Sequence, residues 1–224
     1  MWQNFFDKPK RNYNPYMERM KEFPSYIQWD KEDMNKKKGS WNEFFGNTND
    51  IYLEIGSGQG NFTVANALKN RDRNFIGIEL KFKRLHMSAV KANKRSLKNI
   101  TFIRRWGQEI PEFIGDGEIT GMYINFPDPW DGNEKNRIIS EELFKGTLSK
   151  ILKPNGKLFF KTDHDGYYAD VLALMPSIEG FTVTYKTDDL HKDERGVYNI
   201  KTEFEELFTR KGITTKFIEI TKEA

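Results

Sequence analysis

From residue 50 onward, short apolar runs alternate with longer stretches of mixed polarity, and turn residues separate them. Ile51-Tyr52-Leu53-Glu54-Ile55 reads as a strand that runs into the glycine turn Gly56-Ser57-Gly58-Gln59-Gly60. The segment 61–68 is then the helix opened by that turn. A second strand is expected at 74–79. A helix follows at 81–97, with Leu85, Ala89, Ala92 and Leu97 as its apolar stripe, then strands at 99–105 and 118–125. A helix at about 140–152, the turn Lys153-Pro154-Asn155-Gly156 and a strand at 157–162 come next. The pattern closes with a helix at 166–175, a strand at 181–186 carrying alternating Phe181, Val183 and Tyr185, and a last strand at about 203–210. Strands alternating with helices predict an α/β fold: a doubly wound, mostly parallel seven-stranded sheet with an antiparallel edge strand.

Residues 1–48 break this rhythm. They hold aromatics, lysines, Pro9, Pro15 and Pro24 with little periodicity. The expected organisation is an N-terminal arm, 1–48, lying against or partly mobile beside a domain at 49–224. Within the arm, Asn14-Pro15-Tyr16-Met17 has the signature of a short helix with proline at its first position. The run Lys36-Lys37-Lys38 reads either as solvated surface or as an RNA-contacting stretch.

Composition narrows the function classes. A chain of 224 residues with 37% hydrophobic and 31% charged residues can bury one sheet core. The absence of cysteine excludes disulfides and thiolate chemistry and fits a cytoplasmic setting. With no long apolar run and no signal-peptide pattern, no membrane partner is expected. His86, His164 and His191 are scattered, so no metal is expected. A net charge of +3 makes the location of charge more informative than its sum. The segment 81–98 carries Lys81, Lys83, Arg84, Lys91, Lys94, Arg95 and Lys98 and no acid, a footprint suited to a polyanion.

Three stretches carry chemistry. The first is Glu54-Ile55-Gly56-Ser57-Gly58-Gln59-Gly60, the strand–turn–helix start of a Rossmann-like unit, where glycines let the backbone turn sharply and approach a ligand. A dinucleotide pyrophosphate wants amide N–H groups and no carboxylate, and its fingerprint places the third glycine one residue later. An acid at the strand end instead suits the ammonium and sulfonium of S-adenosylmethionine. The second is Glu79, 23 residues after Gly56, the offset of a carboxylate that binds ribose hydroxyls; the bland alternative is a helix N-cap. The third is Asn125-Phe126-Pro127-Asp128-Pro129-Trp130, at the carboxyl end of the fourth strand, where open α/β sheets bind ligands. Its prolines stiffen the loop around Asp128; the bland alternative is a turn with Asp as a turn former. Trp106, at the end of the third strand, either packs against an adenine or caps the core.

The order of Glu54–Gly60, Ile76-Gly77-Ile78-Glu79, Phe126-Pro127-Asp128-Pro129-Trp130, Lys161-Thr162-Asp163 and Thr202-Glu203-Phe204-Glu205 resembles the bacterial tRNA (guanine-N7-)-methyltransferases over about residues 50–210. The resemblance implies S-adenosyl-L-methionine as methyl donor, with contacts from Glu54, Glu79 and Asp128; Gly56 and Gly58 of the turn, and Trp106 if it packs on the adenine, complete the candidate cofactor-binding residues. It implies Asp128 as the catalytic position and substrate contacts from Asp163, Thr202, Glu203, Phe204 and Glu205. It further implies methyl transfer to a guanosine in the tRNA variable loop, position 46 in tRNA numbering. Guanine N7 has a lone pair and no proton, so the chemistry needs positioning and negative field more than an acid–base pair.

There are two departures. The family's basic run after D-P-W is here Asp131-Gly132-Asn133-Glu134-Lys135-Asn136-Arg137, with Gly132 at the first lysine position and Lys135 or Arg137 as neighbouring substitutes. The acid often found after the third strand is also replaced near Trp106. A methyltransferase acting on another RNA or on a small molecule, and a non-catalytic RNA-binding protein of this fold, are the alternative readings.

Overall fold

A computed structural model describes residues 14–224; residues 1–13, with Pro9 and the start of the expected arm, lie outside the described residues. Asn14 caps α1 (Pro15–Arg19), its side chain accepting from the Tyr16 amide, so the expected proline-led helix is present. Then follow β1 (Ile27–Gln28), α2 (Lys31–Asn35), α3 (Trp41–Phe45), β2 (Ile51–Ile55), α4 (Asn61–Lys69), β3 (Asn74–Ile78), α5 (Phe82–Lys94) and β4 (Ile100–Ile103). The second half comprises α6 (Ile110–Phe113), β5 (Ile119–Asn125), a π-helical stretch Leu143–Leu148 continued by α7 (Ser149–Ile151), β6 (Leu152–Thr162), α8 (Asp165–Leu174), β7 (Phe181–Thr187), α9 (Glu203–Arg210) and β8 (Lys216–Lys222).

The sheet runs β1-β4-β3-β2-β5-β6-β8-β7. Every neighbouring pair is parallel except those made by β8, which is antiparallel to both β6 and β7. The expected doubly wound, mostly parallel sheet with antiparallel pairing at one edge is therefore present. It has eight strands rather than seven, because Ile27–Gln28 of the arm pair with Phe102 and Ile103 on the outside of β4. A two-residue strand has no period to read, which is why the sequence pattern passes over it.

The expected strand at 203–210 is instead the helix α9, and the last strand lies at Lys216–Lys222. Thr202 and Glu205 form a reciprocal capping box, the Thr202 hydroxyl accepting from the Glu205 amide and the Glu205 carboxylate from the Thr202 amide. That T-x-x-E signal is readable in the sequence and marks a helix start. The alternation in Lys216-Phe217-Ile218-Glu219-Ile220 is the strand.

One sheet face is covered by α8, the 143–151 segment, α6 and α3. It buries Leu53, Met122, Ile124, Leu158 and Phe160 against Trp41, Phe113, Phe144 and Tyr167. The other is covered by α4 and α5, which place Val64, Ala67, Leu85 and Ala89 against Phe75 and Phe102. The described part of the arm belongs to both cores. Trp41 is fully buried with its indole N–H donating to Phe113 O at 2.8 Å, and Met20 joins the α5 side. Gly60, at φ +73°, brings α4 against α5: a Cβ there would lie 2.7 Å from Ser88 Cβ.

Candidate active site

The chain leaves β2 toward β3 and β4 on one side and returns to β5 and β6 on the other, so the carboxyl ends of β2 and β5 flank the switch point of the sheet. A crevice must open there, because the connections depart in opposite directions. It is a cleft of about 490 Å³, and Glu54, Gly56, Gly58, Glu79, Asp128, Asp163, Thr202, Glu203 and Phe204 all line it. Residues as far apart in the chain as Glu54 and Phe208 thus meet in one place. A smaller hollow of about 190 Å³ adjoins it along Gly56 and 125–128, walled by Ile55, Ile138 and Trp130.

Each wall is fixed by local structure. The glycine turn is held by Gly56 and Ser57 amides donating to Ile78 O at 2.9 Å, and Lys91 of α5 donates to Gln59 O at 2.9 Å. At the tip of β3, one oxygen of Glu79 accepts from the Leu80 and Lys81 amides at 2.8 and 2.9 Å, and the other faces Arg84 at 3.5 Å. The Phe126–Trp130 loop bends through left-handed backbone at Phe126 (φ +49°) and Trp130 (φ +51°), an uncommon state for large side chains. Its fold is held by the Phe126 amide on Lys161 O, the Trp130 amide on Asp128 Oδ1, and Arg137 Nε on Pro129 O at 2.6 Å. Asp128 itself stays exposed, and its second oxygen is available to a ligand.

The acids differ in state. Glu54 is buried at the floor; its carboxylate accepts from the Thr63 hydroxyl and from Asn125 Nδ2 at 3.0 Å. Burial raises its pKa above the ordinary range, and those two hydrogen bonds together with the charge of Lys161 offset only part of that rise. Ser57 Oγ and Asn125 Oδ1, both on the cleft wall, are buried without a hydrogen-bond partner. Unpartnered buried oxygens are uncommon in native structures and point to a polar ligand.

Comparison with known proteins decides the family. Residues 48–218 match a family described as putative methyltransferases. A tRNA (guanine-N(7)-)-methyltransferase of Streptococcus uberis is 35% identical over 198 residues, covering 87% of this chain and 90% of that protein. One from Clostridium novyi is 36% identical over 188 residues, 84% of this chain and 87% of that protein. The chain belongs to the tRNA (guanine-N7-)-methyltransferase family. A bifunctional glycosyltransferase/methyltransferase of Fusobacterium nucleatum is 51% identical over 223 residues; the match takes in 99% of this chain, which spans only 35% of that longer protein. Among solved structures, an antibiotic-related methyltransferase superposes with TM-score 0.61 at 15% identity, covering 83% of this chain and 94% of that one. The 16S rRNA methyltransferase KamB gives 0.60 at 15%, covering 86% and 92%. At that identity they speak to the fold alone.

As a member of this family, the protein is a methyltransferase whose donor is S-adenosylmethionine, and the cleft has the donor set for it. Glu79 lines the cleft with one oxygen on the Leu80 and Lys81 amides and the other shared only with Arg84, at 3.5 Å. The Gly56 Cβ position is open, with nothing within 4 Å, so a ligand can lie on the backbone. Glu54, Ser57 and Asn125 offer a carboxylate and two unpartnered oxygens to an ammonium. Among the described residues no group of three or more His, Asp or Glu side chains could hold a metal, and no helix is long and apolar enough to cross a membrane.

Two of the expected site residues stand outside the cleft. Trp106 is 61% exposed and lines neither hollow, since its chain turns outward into the 3₁₀ turn Gly107–Glu109. Glu205 is fully buried behind the wall, its carboxylate turned inward by the capping box and by Lys161. Arg137, a substitute considered for the missing basic run, is also committed. It is buried, pairs with Asp170, lies 4.6 Å over the Tyr167 ring and pins Pro129. Lys135 remains exposed. Sequence reasoning missed Ser57, Thr63 and Asn125. Ser57 is legible as the polar position inside the glycine turn; Thr63 and Asn125 show their role only once α4 and β5 bracket Glu54.

Proposed function

We propose that this enzyme transfers a methyl group from S-adenosylmethionine to N7 of a guanosine in tRNA, in the variable loop at position 46 in tRNA numbering, in the cytoplasm. The observation that carries the reading is the convergence of both expected residue sets, donor-side Glu54, Gly56, Gly58 and Glu79 and acceptor-side Asp163, Thr202, Glu203 and Phe204, on one cleft with Asp128 between them. The relatives named for this reaction align along nearly their whole length.

The chemistry asks little proton traffic of the protein. Guanine N7 attacks the methyl carbon in line; the N7–C bond forms as the C–S bond breaks, and the electron pair leaves with sulfur. No proton is lost, and the product ring is cationic. Asp128, held by the proline-stiffened loop, aligns donor and acceptor and faces the charge that develops on the purine. Carboxylates of Asp163 and Glu203 are suited to the guanine N1–H and 2-amino donors, which adenine lacks. Phe204, exposed on α9 and 6.3 Å from Phe208, offers a ring face to the base. On α5, Arg84 and Lys91 turn toward the cleft, while Lys81, Lys83, Lys94, Arg95 and Lys98 are exposed for phosphates.

The test is labelled methyl transfer to tRNA from a strain lacking 7-methylguanosine, followed by nucleoside analysis. The wild-type chain gives labelled 7-methylguanosine. Asp128→Ala lowers kcat roughly 10²–10³-fold and lowers the melting temperature by only a few degrees, because the side chain is exposed and gives the fold one hydrogen bond, from the Trp130 amide. Full activity in that variant, or label in any other nucleoside, overturns the reading.

A further inference from the structure

The cleft wall formed by α9 has an unusual anchor. No residue of α9 belongs to either hydrophobic core, and Glu205 is its one buried residue. Most surface helices are held by an apolar stripe; here the one buried contact is a carboxylate, and beside it only the half-buried Phe208 packs on the Phe126 ring, at 5.6 Å. Glu205 meets Lys161 Nζ at 3.0 Å, and Lys161 is itself buried. The ammonium also donates to Ile200 O at 3.0 Å and to Asn199 Oδ1. The other Glu205 oxygen takes His191 Nε2 at 2.7 Å and Asn199 Nδ2. Every donor of the ammonium and both oxygens of the acid are thus occupied, the condition under which a buried pair is held in one geometry.

Lys161 reaches the opposite wall as well. Its carbonyl accepts the Phe126 amide at 2.8 Å, at the residue that begins the Asp128 loop. In the sheet it pairs with Asn125, the residue that donates to Glu54. Neither Lys161 nor Glu205 lines the cleft. One buried ion pair therefore joins the loop carrying Asp128 to the helix carrying Glu203 and Phe204.

We infer that Lys161 and Glu205 are positioning residues for the acceptor: they set the spacing between Asp128 and the Thr202–Phe204 wall without touching either substrate. This rests on the reading that the acceptor binds between those walls. The donor lies on the other side, against β2 and β3; neither member of the pair lines that cleft, and Lys161 reaches the donor side only through its charge on Glu54.

The experiment uses the full chain and three readouts: affinity for S-adenosylhomocysteine by calorimetry, kcat/KM with tRNA, and amide hydrogen exchange across 199–211. Glu205→Gln is expected to hold S-adenosylhomocysteine within about twofold, to speed exchange in 199–211 roughly tenfold or more, and to lower kcat/KM for tRNA roughly 10–100-fold. The double variant Lys161→Met/Glu205→Met removes both charges and is expected to fold where a single variant does not. Measured at a pH where Glu54 is ionised, it keeps donor affinity while tRNA turnover stays low. The inference is overturned if a folded variant retains wild-type kcat/KM, if 199–211 exchanges as in the wild type, or if donor affinity falls in the same proportion as tRNA turnover. If the wild type methylates no tRNA, the substrate reading fails instead, and exchange with donor affinity still judges the anchor.

Discussion

Glu54 and Glu205 are both buried carboxylates behind the same cleft, at 4% and 0% exposure, yet their pKa values move in opposite directions. Around Glu54 the protein supplies two dipoles, the Thr63 hydroxyl and the Asn125 amide, and desolvation wins: the pKa rises. Around Glu205 desolvation pulls the same way, but Lys161 in contact and the donors from His191 and Asn199 outweigh it, and the pKa falls. Burial alone does not set the state of an acid; the Lys161 charge acts on both, but only Glu205 has it in contact. A buried acid that lacks a contacting cation and sits on a cleft floor is poised for the cation of a ligand. One that already has its cation is an anchor.

The comparison can be broken most sharply through stability. Glu205→Gln leaves the Lys161 ammonium buried and uncompensated, so about 3–5 kcal/mol is expected to be lost, read as a fall in melting temperature of roughly 10 °C. Glu54→Gln removes an acid that burial disfavours, and its melting temperature is expected to hold or to rise by a few degrees, about 2–4 °C per kcal/mol gained. Equal losses in the two variants would erase the distinction.

Donor affinity is the next largest effect and runs the other way. Glu54→Gln is expected to weaken S-adenosylhomocysteine binding by about 10–100-fold, the worth of a hydrogen bond to a charged group, whereas Glu205→Gln leaves it nearly unchanged. Calorimetric titration of both variants checks this.

The smallest effects are in pH dependence. In the empty enzyme the Glu54 pKa lies above its ordinary value of 4.5, and an ammonium bound beside it brings that value down, so binding releases a proton. Affinity for S-adenosylhomocysteine is therefore expected to rise with pH from 4.5 up through the raised pKa, by at most about tenfold per pH unit, and to be flatter in Glu54→Gln. Folding stability shows the mirror image. The Glu205 pKa is depressed, so its contribution is present above the unfolded value of 4.5 and is lost as pH falls through the folded one. The gap between wild type and Glu205→Gln should close in acid. Ionising Glu54 costs stability as pH rises above 4.5, so the gap between Glu54→Gln and wild type should open in that direction. Melting curves across pH separate the two.

What could be read from the chain follows the range of the interactions. The glycine turn, the acids at the ends of β2 and β3, and the Phe126–Trp130 loop were legible because strand, turn and helix follow one another within a few residues. Strand ends in such a fold also converge by topology. The helix α9 was misread because Phe204, Leu207 and Phe208 fit a short strand as readily as a helix, and only the Thr202–Glu205 box separates them. Arg137 looked like a substitute for the family's basic run; its contacts with Pro129 and Asp170, 8 and 33 positions away, commit it to holding the loop.

The sequence by itself determined the sheet and the donor-side turn, since these rest on local backbone preference and on apolar spacing, and the order of its motifs carried the resemblance to the family. The tertiary structure decided which of two like acids has a cation in contact and which lies at the cleft without one. Glu205 and Lys161 stand 44 positions apart, and nothing in the residues beside either one announces the other. The state of a buried charge is set by its nearest counter-charge across the fold, a distance that only packing defines.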